Sequence, residues 1–408
     1  MATLGPPARR SDASRPQVAA IVLAAGLSSR MQAFKPLLPF GERTVIEHVV
    51  ATLQAGGVEE IRVVTGHRAA ELAPVISRLG VAAVHNPDFE RGMYTSVRAG
   101  IASLPADASG ALLLPVDIPL VRSATIAALI DAAIDTGATI VHPTFAGTRG
   151  HPPILARRLF RDIVAGDGEG GLKRLIAGHY QDAVDLPVID RGILLDMDTQ
   201  ADYARLAHAL AHRGVPDDAE CGAMLDAAMT PPRVRRHARA VADLAVALAQ
   251  RLTAAGHLLD IDLVAAGALL HDIAKGHPRH AELGGELIRR LGFADVAAVV
   301  ERHMDLQLES NPAGEPLVDE RAIVFLADKL VADDARVTLD QRFAAGLGRH
   351  AGNPAALAGV ARRKAEAEAV LSAVEAIISL PDAGGWPGPQ SARRLGDDDR
   401  LPDPRGTP

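Results

Sequence analysis

Val22-Leu23-Ala24-Ala25-Gly26-Leu27-Ser28-Ser29-Arg30-Met31, with Lys35-Pro36-Leu37-Leu38-Pro39 close behind, decides the fold of the first half of this chain. The stretch closes a short apolar run, Val18 to Leu23, that reads as a buried strand, and a helical pattern, Thr44 to Leu53, follows it. A turn of small residues between a strand and a helix lets backbone approach a ligand closely. Gly26 is free to take positive φ there and leaves room for a phosphate. The amides of the following turn can then face that phosphate, which makes Leu23, Ala24, Ala25, Gly26, Ser28 and Ser29 the candidate nucleotide-binding residues of the stretch. Arg30 and Lys35 add positive charge where a triphosphate would lie. The pattern differs from GxxxxGK[ST], and it points to a nucleotide held as a nucleotidyl donor.

Outward from this turn, apolar strands alternate with amphipathic helices. Candidate strands are Val18–Leu23, Ile61–Thr65, Val81–His85, Ala111–Val116, Thr139–His142 and Ala183–Leu186, and helical patterns such as Ala69–Leu79 and Thr125–Ile134 lie between them. Such alternation predicts a doubly wound α/β domain with a mainly parallel sheet, whose ligands bind at the carboxyl ends of the strands. From Asp217 to about Leu380 strand signals almost vanish. Val234–Leu252, Ile261–Ile273, Ala281–Leu291, Ala322–Val331 and Ala355–Ile378 carry helical periods, so this half is expected to be all-α. The expected division is a disordered segment at 1–16, an α/β domain at 17–207, a linker at 208–216, an all-α domain at 217–380 and a disordered tail at 381–408.

The sequence has 408 residues, 48% hydrophobic and 23% charged, which suits a globular protein of two or three domains. A formal net charge of −7 gives no overall basic field for nucleic acid. A single cysteine, Cys221, excludes an internal disulfide and fits a reducing compartment. Residues 1–17 lack the apolar core of a signal peptide, and no run approaches the ~20 apolar residues of a membrane helix. The expectation is a cytoplasmic protein with no membrane or nucleic-acid partner.

Leu112-Leu113-Leu114-Pro115-Val116-Asp117-Ile118-Pro119 places a carboxylate at the end of an apolar strand, where it can hold Mg2+ against phosphate oxygens. The competing reading is a capping role. Asp198, in Leu195-Asp196-Met197-Asp198-Thr199-Gln200-Ala201-Asp202-Tyr203, is either a further metal ligand or, with Thr199, an N-cap. These elements resemble those of the molybdenum cofactor nucleotidyltransferases, above all the cytidylyltransferase branch. The likeness rests on LAAGxSSRM (Leu23 to Met31), Lys35, PxDxP (Pro115 to Pro119), DxDTxxDY (Asp196 to Tyr203) and Asn86 to Gly100, and it covers nearly all of 18–207. It departs at Gln32, where glycine is common, and at Val116-Asp117, where Gly-Asp is frequent.

The resemblance implies attack by a phosphomonoester oxygen of molybdopterin on the α-phosphorus of CTP, with release of pyrophosphate. Asp117 would hold Mg2+, and Arg30 and Lys35 would stabilise the leaving group. Thr65, Gly66, Asn86, Gly92 and Ser96 would line the nucleotide, the Gly92–Ser96 segment lying beside the base. Gly150–Pro153 and Gly166–Gly171 would face the acceptor. Maturation proteins of molybdenum enzymes are implied partners.

His271-Asp272-Ile273-Ala274-Lys275 ends a strongly apolar helix, with His237 upstream and Asp328 downstream. A lone histidine or aspartate on such helices is usually an ordinary polar residue; the set H…HD…D resembles the HD-domain metal-dependent phosphohydrolases over roughly 231–331. On that pattern His237, His271, Asp272 and Asp328 bind a metal. His280 and His303 would hold a second ion or contact phosphate in a one-metal site, two ions being preferred because they suit phosphoester hydrolysis. Lys275 would contact substrate phosphate. Mixed His/Asp ligands admit Mn2+, Fe2+, Zn2+ or Mg2+.

Other features weigh less. His67 reads as only helping to shape the nucleotide pocket, His142 reads as structural, and Cys221 reads as an inert thiol. Arg233, Arg235, Arg236 and Arg239 read as a solvated helix face. Two alternatives to the bifunctional reading remain. One is a transferase that uses GTP or takes another phosphorylated acceptor, such as a sugar or polyol phosphate. The other makes the helical half a regulatory sensor.

Overall fold

The computed structural model describes residues 16–27, 31, 33–310, 314–349 and 353–378. Contacts divide the chain into two units, one running up to Ala227 with Arg289–Phe293 added, the other comprising Ala228–Ile288 and the residues from Ala294 onward.

The first unit is built on an eight-stranded sheet in the order Ala183–Pro187, Ile140–Phe145, Ile154–Ala156, Gly110–Pro115, Val18–Ala24, Ile61–Thr65 and Ala82–His85, with Thr148–Arg149 paired to the second of these. Val18–Ala24 lies parallel to both neighbours, with Leu23 opposite Val64 and Pro115 and Ala24 opposite Thr65. The pleat explains the apolar run. Ala20, Val22 and Ala24 enter a core on one face, while Ile21 enters a second core on the other, so nearly every side chain of the strand is buried. On the second face the helix Met93–Ala102 packs so closely that a Cβ at Gly100 would lie 2.6 Å from Ile21 Cγ2.

The mainly parallel α/β architecture expected from the alternation is what forms, and the long strands lie within a residue or two of their expected places, Ile140–Phe145 running three residues beyond its expected end. One insertion departs from it. Ile154–Ala156 runs antiparallel between Gly110–Pro115 and Ile140–Phe145, so the sheet is mixed. Three residues are too few to show a periodicity.

The junction expected at 208–216 lies inside the first unit. Thr199 and Asp202 form a reciprocal cap, with Thr199 N donating to Asp202 Oδ2 at 2.8 Å, and the helix Gln200–Ala211 continues from it. The next helix, Asp218–Ala227, also belongs to this unit. Glu220, 5% exposed, accepts from Arg122 Nη2 at 3.2 Å and from Arg191 N at 3.3 Å, and Arg213 donates to the Val121 carbonyl. A buried carboxylate of this kind is retained only with its partners. The domain expected from 217 therefore begins its compact packing at Ala228.

The second unit is helical, comprising Pro232–Ala254, Ile261–Leu270, His280–Arg290 up to Ile288, Ala294–Arg302, Glu320–Lys329, Leu339–Arg349 and Pro354–Ile378. A two-stranded hairpin, Val331–Ala332 with Ala335–Arg336, interrupts it. Asp333 at its tip has φ of 53°, in the left-handed region that aspartate tolerates. The helix expected to reach Ile273 stops at Leu270, so His271 and Asp272 sit in a turn instead of on the helix. Among the described residues no helix is long and apolar enough to cross a membrane.

Candidate functional site

In the first unit, the carboxyl ends of four adjacent strands converge. Val116 N donates to the Leu23 carbonyl at 3.1 Å, His67 N to the Ala25 carbonyl at 3.3 Å, and Asn86 N to the Thr65 carbonyl at 2.8 Å. These bonds fix the loops that carry Gly26, Gly66, Asn86 and Asp117 beside one another. Ser28, Ser29 and Arg30 lie outside the described residues.

Gly26 does not take the left-handed conformation expected of it, and an added Cβ would meet nothing within 4 Å among the described residues. The demand for glycine falls on its neighbours. A Cβ at Gly66 would lie 2.6 Å from Phe89 Cβ, and Gly92 has φ of 106° at the start of the helix Met93–Ala102.

Lys35 opens a single helical turn, Lys35–Leu37, and is 8% exposed. Its ammonium lies 3.2 Å from Asp117 Oδ2 and 2.9 Å from Asp198 Oδ1. Burial lowers its pKa, but the hydrogen bonds and charges of Asp198 and Asp117 outweigh this and hold it above the usual lysine value. Two carboxylates from segments 81 residues apart are thus brought to one point. Met197 N donates to the Asp117 carbonyl at 2.8 Å, which ties the two segments together. Capping of the following helix falls to Thr199, so the Asp198 carboxylate is directed to Lys35. Paired carboxylates of this kind fit a hard divalent ion.

Asn86 links Thr95, Ser96 and Asp88. Asn86, 2% exposed, donates from Nδ2 to Thr95 Oγ1 and Ser96 Oγ, each at 2.9 Å, and accepts from Asp88 N at 3.0 Å. This network shapes the loop that ends at Gly92. Thr95 completes it and carries no sequence signal beyond its place in the segment. Thr65 Oγ1 faces the Val84 carbonyl at 3.5 Å.

The second unit gathers all six expected ligands into two adjoining groups, His237 with His271 and Asp328, and Asp272 with His280 and His303, the donor atoms of each within 4.8 Å of one another. His237 Nε2 lies 3.1 Å from Asp328 Oδ1. Asp272 joins the groups: Oδ2 is 3.4 Å from His271 Nε2, and Oδ1 is 3.3 Å from His280 Nε2 and 3.5 Å from His303 Nε2. Three facts test the fit to metal ions. Nε2 of His271, His280 and His303 are buried without a hydrogen-bond partner. Nδ1 of His271 and of His303 lies 2.7 and 2.6 Å from the carbonyl three residues earlier, and His237 Nδ1 lies 2.7 Å from the Asp333 carbonyl. A carbonyl only accepts, so Nδ1 carries the hydrogen in each ring and Nε2 of the neutral ring offers its lone pair inward. Orphaned nitrogens around buried carboxylates are the donor set of a divalent transition metal.

Electrostatics agree. Burial raises the Asp272 pKa, but the imidazoles of His271, His280 and His303 bring it well below the carboxylate range. Burial raises the Asp328 pKa, but Lys329, His237, His271 and Arg342 together hold it well below the carboxylate range. Burial pushes His303 down to about 4, favouring the neutral, ligating ring. His271 is raised: burial opposes its charge, but Asp272 and Asp328 favour it, the same negative field that would attract a cation. Lys275 Nζ lies 2.9 Å from Asp272 Oδ2. Lys329 and Arg342 belong to this site as well and were not apparent from the motif. Lys329, 5% exposed, donates to Asp328 Oδ2 at 2.5 Å and to the His303 carbonyl at 3.0 Å.

Residues 20–185 match the MobA-like NTP transferase domain family and residues 234–333 the HD domain family. The chain is 35% identical over 140 residues to the tRNA (cytidine(56)-2'-O)-methyltransferase of Thermoplasma volcanium, covering 31% of this chain and 40% of that protein. It is 45% identical over 97 residues to the bifunctional IPC transferase and DIPP synthase of Rubrobacter xylanophilus, covering 22% of each. It therefore spans well under two thirds of these two relatives. With the molybdenum cofactor cytidylyltransferase of Escherichia coli it is 28% identical over 187 residues, covering 45% of this chain and 92% of that protein. The chain belongs to the MobA-like NTP transferase family through residues 20–185 and to the HD domain family through residues 234–333.

Proposed function

We propose that the first domain transfers a cytidylyl group from CTP to the phosphate of molybdopterin cofactor and releases pyrophosphate, and that the HD domain hydrolyses a phosphoester. The observation that carries the first part is the pair Asp117 and Asp198 held on Lys35 at the strand ends beside Ala24–Gly26. There the carboxylates would hold Mg2+, whose chemistry is to neutralise phosphate oxygens. Lys35 is positioned to share that charge as the bond from the acceptor oxygen to the α-phosphorus forms and the α–β bridging bond breaks. Positioning and charge suffice, since phosphoryl chemistry of this kind needs no side-chain nucleophile. Resemblance to the Escherichia coli cytidylyltransferase over nearly its whole length supports CTP and a pterin acceptor, and proteins that mature molybdenum enzymes are the corresponding partners.

A second reading, transfer to another phosphorylated acceptor, is favoured by the likeness to the Rubrobacter xylanophilus transferase. Pyrophosphate release separates them. The purified chain with Mg2+ and molybdopterin cofactor is offered CTP, GTP, ATP and UTP in turn. Release with CTP alone supports the proposal; release with GTP alone overturns the base; no release with any of them overturns the acceptor.

For the HD half, the two ligand groups sharing Asp272 support a two-ion site, with Mn2+, Fe2+, Zn2+ or Mg2+ as candidate ions. The ions would supply an activated water and a clamp on phosphate oxygens. His237, His271, Asp272, His280, His303 and Asp328 would hold them.

A further inference from the structure

Each ligand group of the HD site has one partly exposed cation resting on its carboxylate. Lys275 lies on Asp272, and its side chain is 46% exposed. Arg342, from the helix Leu339–Arg349, has Nη2 3.5 Å from Asp328 Oδ1, and its side chain is 32% exposed. The two differ from Lys329, which is buried and bonded on two sides to Asp328 and the His303 carbonyl. Lys329 is enclosed, whereas Lys275 and Arg342 reach solvent.

We infer that Arg342 is a phosphate-gripping residue of the HD site and that, with Lys275, it selects substrates bearing a terminal phosphate. The inference rests on the phosphoester reading given above. Arg342 contacts Oδ1, the oxygen of Asp328 that also faces His237 at 3.1 Å and His271 at 3.8 Å. A divalent ion bound by those three side chains would sit at that oxygen and repel the guanidinium from it. The guanidinium, on a side chain with solvent access and within the field of the exposed Asp333 carboxylate, can then take an anionic partner next to the ion. A phosphate oxygen fits that place, and the planar fork can take two oxygens at once. Lys275 stands in the same relation to Asp272, in the ligand group that adjoins that of Asp328, and would supply the second cation for the same phosphate. A phosphomonoester offers three non-bridging oxygens, enough for both ions and both cations. A diester offers two.

The test uses the full chain loaded with Mn2+. Metal content is read by atomic emission, and binding of inorganic phosphate is read by calorimetry, for the wild type, Arg342→Ala, Arg342→Gln and Arg342→Lys. The expected result is unchanged metal content in every variant, phosphate affinity at least tenfold weaker in Arg342→Ala and Arg342→Gln, and partial recovery in Arg342→Lys. Phosphate affinity within twofold of wild type in both neutral variants would overturn the inference and leave the phosphoester reading standing. Loss of manganese in proportion to loss of phosphate would also overturn it, since Arg342 would then only hold Asp328 in place. A wild-type protein that holds manganese but binds no phosphate would overturn the phosphoester reading and this inference with it.

Discussion

Lys35→Met removes the one ammonium observed between Asp117 and Asp198 and leaves an isosteric apolar chain facing two carboxylates. Breaking a fully buried ion pair costs about 3–5 kcal/mol, but the Asp117 and Asp198 side chains are 31% and 38% exposed. Water screens them, so the cost expected here is about 1–2 kcal/mol. Lys35 itself has a raised pKa. Its contribution is therefore complete below the unfolded lysine value and is lost only as pH rises through the folded value, so at neutral pH the full loss is measured. Mg2+ should reduce the loss, since the ion can occupy the place between the carboxylates. The assay is hydrogen exchange on the full chain, read at peptides over Val18–Ala24 and Gly110–Pro115, which keeps the second unit out of the measurement. The expectation is a protection loss of roughly 5–30-fold at pH 7, smaller with Mg2+. Equal protection in both proteins at pH 7, or no response to Mg2+, refutes the reasoning.

Gly66→Ala should lower stability by about 1–3 kcal/mol, because its Cβ would lie 2.6 Å from Phe89 Cβ; a denaturant midpoint unchanged at that strand would contradict it. His303→Ala should lower manganese content by about one ion per chain while the His237 group keeps its own, measured by atomic emission. His48 is held down to about 4 by burial, aided by Arg213 and Arg43. Its folded pKa lies below the unfolded value near 6.5, so its contribution is present above that value and is lost as pH falls toward 4. His48→Gln should flatten the stability of the first unit between those limits in acid-unfolding curves.

The strand ends were legible because buried parallel strands read as continuous apolar runs, and Asp117 follows one directly. The HD ligands were legible for a different reason. Histidines and aspartates are conspicuous among Ala/Leu-rich helices and the turns that end them, and six of them meet. What was hidden depends on pairing across sequence distance. Glu220 looks like an ordinary helix-surface acid until Arg122 is seen beneath it, and so the first unit runs to Ala227. Arg342 carries no motif, since its partner Asp328 lies on another helix. The bonds that Asn86 makes to Thr95, Ser96 and Asp88 were likewise hidden, because they depend on how the loop folds back on the helix that follows it.

The carbonyls behind His271 and His303 have one more consequence. Ala268 and Val300 contribute only main chain to these contacts, so replacing either side chain leaves the anchor in place. The direction in which each imidazole points is therefore insulated from mutation of its nearest support. Asp272, Lys275, Lys329 and Arg342 are side chains and have no such protection. Across divergent descendants of this site, drift can retune the carboxylate and cation surroundings, and with them the preferred ion and substrate, while the histidine frame stays as it is.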